Sequence, residues 1–178
     1  EAKKPVAIAL PASLRPLLSD ADRALYKDAF AKARDGKWAE AQKLAARAKE
    51  QLPAKLLRAL ELASSGDFAT VVDFIAQSPD WPYQNGLRLR AEDQSQGQPA
   101  EVVLEWFKRF PPQGTKGNLA LAQAMVSAGR VEEANALIRQ AWVNANFDVA
   151  EERAFLDRYR GVLTNKDDIA RLDRLLWD

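Results

Sequence analysis

Apolar residues along this chain recur at spacings of three and four, in short runs broken by Gly or Pro, with almost no strand signal. Each run reads as one amphipathic helix, and ten can be followed in order. Residues 1–18 carry Pro5, Pro11 and Pro16, which break any long helix and predict an extended lead-in with a short turn around Leu14–Leu18. Ser19 is placed as an N-cap, with Asp20 and Asp22 in the first turn, opening a helix over Asp20–Arg34. Ala21, Leu25, Ala29 and Ala33 form its row, with Phe30 beside it. Gly36 ends it, because glycine accepts the left-handed conformation of a helix C-terminus. The second helix is expected over Trp38–Gln51, with Trp38, Ala41, Leu44, Ala45 and Ala48 as its stripe.

Pro53 opens the third helix, whose inner face is Leu56, Leu57, Leu60 and Ala63. Phe68, Val71, Val72 and Ile75 mark the fourth, which stops near Ser78-Pro79-Asp80-Trp81-Pro82. The fifth, about Pro82–Gln94 with Asp80 as its cap, has only Leu87 and Ala91 as inner residues. Pro99 opens the sixth, with Val102, Val103, Trp106, Phe107 and Phe110, and Pro111-Pro112-Gln113-Gly114 stops it. Leu119, Ala122, Met125 and Val126 mark the seventh. Val131, Ala134, Leu137, Ile138, Ala141 and Trp142 mark the eighth. Asp148 with Glu151 predicts a capping box for the ninth, which carries Ala154, Phe155 and Tyr159. Thr164 with Asp167 starts the tenth, whose packing face reads as Ile169, Leu172, Leu175 and Leu176, ending at Trp177.

The helices fall on a beat. Ala33–Ala41, with Gly36 two residues before Trp38 and Ala41 three residues later, recurs at Gly66-Asp67-Phe68-Ala69-Thr70-Val71 and at Gly129-Arg130-Val131-Glu132-Glu133-Ala134. A looser copy starts at Gly97, and Gly161 keeps the spacing. Glycines at 36, 66, 97, 129 and 161 give gaps of 30, 31, 32 and 32 residues, the signature of a helical repeat array. The expected fold is all-α: a right-handed superhelix of about five stacked hairpins over residues 19–178, read as one domain. One hairpin is too small to bury its own apolar face, so neighbours must stack. The last helix shows no polar capping partner, so 19–178 reads as a piece of a longer chain, the alternative being a helix that folds back on its neighbour and closes the array.

Composition narrows the chemistry. The 178 residues include 26 Lys and Arg against 25 Asp and Glu, with the basic residues spread out, so no electrostatic case for nucleic acid arises. With no Cys and no His, thiol nucleophiles, His-based triads and Cys/His zinc sites are excluded. The lack of Cys suits a reducing or an oxidising compartment equally. No apolar run approaches the roughly 18–20 residues that span a bilayer, and the N-terminal Glu-Ala-Lys-Lys-Pro lacks a signal peptide's apolar segment.

The Gly-x-aromatic-x-x-Ala turn resembles the middle of a tetratricopeptide repeat, although the 34-residue period and closing Pro of that repeat are not kept. A second resemblance spans the chain from about Tyr26 onward. Tyr26, Phe30-Ala31 and Arg34-Asp35-Gly36-Lys37-Trp38-Ala39-Glu40-Ala41, followed by Phe74-Ile75-Ala76-Gln77-Ser78-Pro79-Asp80-Trp81-Pro82, look like the N-terminal half of soluble lytic murein transglycosylases. Leu119-Ala120-Leu121-Ala122, Ala128-Gly129-Arg130-Val131-Glu132-Glu133-Ala134 and Arg171-Leu172-Asp173-Arg174-Leu175-Leu176-Trp177 continue the likeness. Ser78–Pro82 is its most specific piece. The resemblance implies a periplasmic, non-catalytic α-superhelix acting on peptidoglycan glycan strands through its parent enzyme, with a separate lysozyme-like domain following. In that family the cleaving domain carries a Glu-Ser pair and a Gly-Leu-Met-Gln element. Neither occurs here, so no catalytic residue is carried over, and no cofactor or metal ligand is assigned.

Several side chains invite functional readings. Trp38 and Trp142 lie in apolar stripes and read as core, Trp106 as core or sugar platform, Trp81 as a plug between hairpins, and Trp177 as a contact for a following domain. Glu132-Glu133, Glu151-Glu152 and Asp167-Asp168 point about 100° apart on a helix, so they do not make the facing carboxylates of a glycosidase; they suit the helix dipole instead. Arg88, Arg90, Lys108 and Arg109 read as a solvated face, or as a concave one that attracts acidic peptidoglycan stems. The alternative to a transglycosylase scaffold is a free-standing adaptor that holds a protein or peptide in a concave groove.

Overall fold

A computed structural model describes residues 18–82 and 84–177. The lead-in expected over 1–18 lies outside them apart from Leu18. The described residues form ten helices and no strand: α1 (Asp20–Arg34), α2 (Trp38–Ala45), α3 (Leu52–Ser65), α4 (Phe68–Gln77), α5 (Gln84–Ser95), α6 (Ala100–Arg109), α7 (Thr115–Ser127), α8 (Val131–Asn144), α9 (Val149–Tyr159) and α10 (Asn165–Trp177). The chain divides into two compact units between Glu61 and Leu62, within α3.

In the first unit α1 packs on α2 around Tyr26, Ala29, Ala33, Ala41, Ala45, Ala48 and Leu57. Ser19 caps α1 as expected, its Oγ accepting from the Asp22 N–H at 3.1 Å. The buried row differs from the expected one. Asp22, Tyr26, Ala29 and Ala33 face inward, and Ala21 is exposed. The Asp22 carboxylate accepts the backbone N–H groups of Lys49 at 3.0 Å and Glu50 at 3.3 Å, and Tyr26 donates its hydroxyl to the Glu50 carbonyl. Those bonds engage backbone that a longer helix would use, and α2 ends at Ala45 instead of Gln51.

The second unit holds two apolar clusters. Phe68, Val71 and Ile75 of α4, Leu87 and Ala91 of α5, Val103, Trp106 and Phe107 of α6, and Ala120, Leu121 and Ala124 of α7 make the first. Ala122, Ala134, Ile138, Ala141, Trp142 and Phe155 make the second, where the Trp142 and Phe155 rings stack at 5.5 Å. The packed neighbours are α4 with α5, α6 with α7, α5 with α7, α7 with α8, and α8 with α10. Gly97 and Gly129 take φ of 87° and 77° after α5 and α7, as Gly36 takes 74° after α1 in the first unit, so three of the five rhythmic glycines make the left-handed turn their spacing suggests. Gly66 serves packing instead: a Cβ there would sit 2.6 Å from the Leu62 carbonyl oxygen and 2.6 Å from Val71 Cγ2.

The tenth helix reverses the expected orientation. Ile169, Leu172, Leu175 and Leu176, read as its packing face, are 67%, 58%, 51% and 67% exposed, and Trp177 is 83% exposed. The opposite, charged side packs. Arg171 is 5% exposed and donates to the carbonyl oxygens of Trp142 at 2.7 Å and Ala145 at 2.8 Å, and to Glu152 at 2.9 Å. Arg174 donates to Val143 O at 2.6 Å and Ala145 O at 3.1 Å, and Trp142 donates its indole N–H to Asp168 at 2.9 Å. The physical reason is the bare C-terminus of α8. Its last carbonyls have no intrahelical partner, and two guanidinium groups on one turn of α10 satisfy them while facing the negative end of the helix dipole.

Candidate functional site

Within the second unit, α5, α7 and α9 line a cleft of about 690 Å3. Leu89, Leu119, Ala120, Ala124 and Phe155 supply its apolar surface, and Asp93, Lys116, Gln123, Asn146, Arg158 and Tyr159 supply polar groups. Size and mixed lining are those of ligand sites in general. Two contacts link its helices. Lys116 of α7 lies 3.1 Å from Asp93 of α5, and Arg158 of α9 donates to Gln123 Oε1 of α7 at 3.0 Å. The Arg158 guanidinium also stands 5.4 Å from the Tyr159 ring centre.

Glu92 is the buried carboxylate of this cleft, 3% exposed. Its two oxygens accept the backbone N–H groups of Gln113 at 2.7 Å and Gly114 at 2.9 Å. Gly114 is the N-cap position of α7 and has no side chain to offer, so a carboxylate from α5 satisfies the start of α7. Gly117 makes room for it, since a Cβ at that position would lie 2.5 Å from Glu92 Oε2. Burial pushes the Glu92 carboxyl above the usual range, against the two N–H bonds that favour its charged form.

A second hollow, about 430 Å3, lies between α4 and α6. Phe68, Val72, Ile75, Val102, Trp106 and Phe110 line it, with Glu101, Glu105 and Arg109. Trp106 is 7% exposed, meets Phe68 edge-on at 5.9 Å, and its indole N–H has no hydrogen-bond partner.

The residues singled out from sequence meet only in part: Trp106 and Arg109 share the hollow between α4 and α6, Arg88 and Arg109 both face the Phe110 ring, and of the rest only Glu151 lines the larger cleft. Trp142 is core, Trp38 is half-buried against the first unit's core, and Trp81 meets Phe74 edge-on at 6.1 Å. The paired carboxylates take separate structural partners: Glu133 holds Arg130, Glu151 completes the Asp148 capping box, Glu152 meets Arg171, Asp167 accepts from Thr164, and Asp168 from Trp142. Arg90 donates to Gly66 O at 2.8 Å, Arg88 lies 4.5 Å from the Phe110 ring centre and Arg109 5.2 Å, and Lys108 stands 3.7 Å from Glu105. None of the four lines the cleft between α5, α7 and α9. Sequence reasoning missed Asp22, Glu92 and Arg171. For Asp22 and Arg171 the signal was present: Asp22, Tyr26, Ala29 and Ala33 keep a four-three-four spacing, and Asp167, Arg171 and Arg174 keep a four-three spacing opposite the apolar stripe of their helix.

No family model matches the chain, and no curated protein or solved structure matches it. Among the described residues no group of three or more carboxylates is placed to hold a metal ion, and no helix is long and apolar enough to cross a membrane. Chemically, the cleft offers apolar surface beside a compensated ion pair, an amide and a guanidinium, groups that can bury and hydrogen-bond a partly polar ligand.

Proposed function

We propose that this chain is the non-catalytic scaffold domain of a periplasmic soluble lytic transglycosylase, a right-handed α-superhelix that organises an enzyme of cell-wall turnover. The bond-breaking lysozyme-like domain lies elsewhere in that reading. What carries it is the repeated turn: three glycines on a beat of about thirty residues take the same left-handed conformation, each closing one helix before the next. The Ser-Pro-Asp-Trp-Pro segment supplies the link to the family. Reading the coding sequence beyond Asp178 tests it. The expected result is a downstream domain with Glu-Ser and Gly-Leu-Met-Gln; a gene without one overturns the proposal.

The cleft between α5, α7 and α9 favours a second reading, a tetratricopeptide-like adaptor that holds a protein or peptide segment there. An NMR titration separates the two. Muropeptide-induced shifts at Leu119, Gln123 and Arg158 support the cell-wall reading. Silence to muropeptides, with shifts at the same residues from an unstructured peptide pool, supports the adaptor.

A further inference from the structure

We propose that the outward face of α10 is a self-association surface, on which a second copy of this chain packs antiparallel about a two-fold axis beside Ile169. The face is unusual for a surface helix. Ile169, Leu172 and Leu176 follow an i, i+3, i+7 spacing, Leu175 and Trp177 flank them, and all five are more than half exposed. Together they present at most roughly 600 Å2 of apolar surface, taking about 150–250 Å2 for the aromatic side chain and less for each Leu and Ile, with Leu175 and Trp177 on opposite flanks; a stable interface buries about 800 Å2 on each partner. Pairing two α10 faces therefore comes near the area of a specific dimer, with affinity at its weaker end. The arginines of α10 do not oppose that approach, because Arg171 and Arg174 are turned inward to α8.

Charge complementarity selects a second copy and sets the register. Lys166 and Asp173 are exposed, opposite in sign and seven residues apart, so they lie on one flank of α10, two turns from each other. In a two-fold antiparallel pair each Lys166 meets Asp173 of the second copy, and the reverse contact follows by symmetry. The same register brings Ile169 and Leu172 of both copies together at the centre. It also sets Leu176 and Trp177 against the turn that holds Val162 and Leu163, both half-buried and apolar. A parallel pair would place Lys166 against Lys166 and gains neither contact.

Sedimentation equilibrium of the whole chain, from micromolar to submillimolar concentration, tests this directly. The expected result is a reversible dimer, weakened by more than ~100-fold in Leu172→Glu, since two buried leucines are lost per dimer. Leu172 is exposed in one copy, so unchanged helicity and melting of that variant separate lost association from lost folding. Lys166→Glu and Asp173→Lys should each weaken the dimer, and the double exchange should restore it. Because the chain has no cysteine, Ile169→Cys should form an intermolecular disulfide far faster than Val131→Cys on oxidation. A monomer at every concentration, a dimer indifferent to Leu172→Glu, or equal cross-linking at both cysteine positions overturns the proposal. None of these measurements involves glycan or a catalytic domain, so their outcome is independent of the cell-wall reading.

Discussion

Replacing Arg171 by Ala probes the least expected piece of this fold, a helix held by its charged side. The guanidinium is 5% exposed and makes three hydrogen bonds, two of them to carbonyls at the C-terminal end of α8. A bond from a charged donor contributes about 1.5–3 kcal/mol, and the guanidinium lies 4.3 Å from the Trp142 ring centre, a contact worth about 1–2 kcal/mol when desolvated. The ion pair with Glu152 adds little, because that carboxylate is 44% exposed. These contributions are not additive, and part of the loss is regained by water at the freed carbonyls, leaving an expected cost of about 3–5 kcal/mol. That is a large share of the ~5–15 kcal/mol that stabilises a typical domain. Amide hydrogen exchange is the assay, read alongside urea melts. Protection should collapse across α10 first, while the amides of α4 to α7 keep theirs. Arg171→Lys should recover less than half, since an ammonium lacks the planar fork that reaches both carbonyls and Glu152. If Arg171→Ala melts within about 1 kcal/mol of the parent and α10 amides stay protected, the packing of α10 through its charged side is refuted.

The glycines should separate by mechanism. Gly129→Ala meets no atom within 4 Å and costs only its left-handed backbone, about 1 kcal/mol, whereas Gly66→Ala collides with Leu62 and Val71 and should cost clearly more by thermal melts. Glu92 should respond to pH. Its folded carboxyl lies above the unfolded value of 4.5, so its contribution is complete below that value and falls as pH rises through the folded one. Urea melts should therefore show the parent gaining on Glu92→Gln as the solution is acidified, and a constant difference would contradict the burial argument. Asp22 should behave oppositely. The Lys49 N–H, ahead of the Glu50 N–H, holds its carboxyl below 3.8, so its stabilisation is present above that pH and lost as pH falls through the folded value. Asp22→Asn should erase that acid-limb loss, and an unchanged acid limb would sink the assignment.

Much of the fold was legible in local pattern. The turns at Gly36, Gly97 and Gly129 follow from a residue that tolerates positive φ after a helical run, and the Ser19 cap and the Asp148–Glu151 capping box from side chains that bond their own neighbours. Such features depend on a few consecutive residues, which the sequence contains in full. The candidate cleft was far less legible. Glu92 reaches across to the start of α7, and Arg158 to Gln123 thirty-five residues away, so neither contact leaves a local trace.

The sequence alone determined that the described residues are helical, where most of their helices begin and end to within a few residues, and three of the turns that glycine makes; the early end of α2 at Ala45 it did not. Tertiary structure decided which side of a helix is the inside. On α10 the apolar stripe and the charged row are equally periodic. What turned the charged row inward was the set of unsatisfied carbonyls at the end of α8, brought within reach only by the fold. On α1 the same logic buried Asp22 and Tyr26 against the end of α2. Periodicity records where apolar residues lie around an axis; the polar groups that a neighbouring backbone leaves open record which face has a partner.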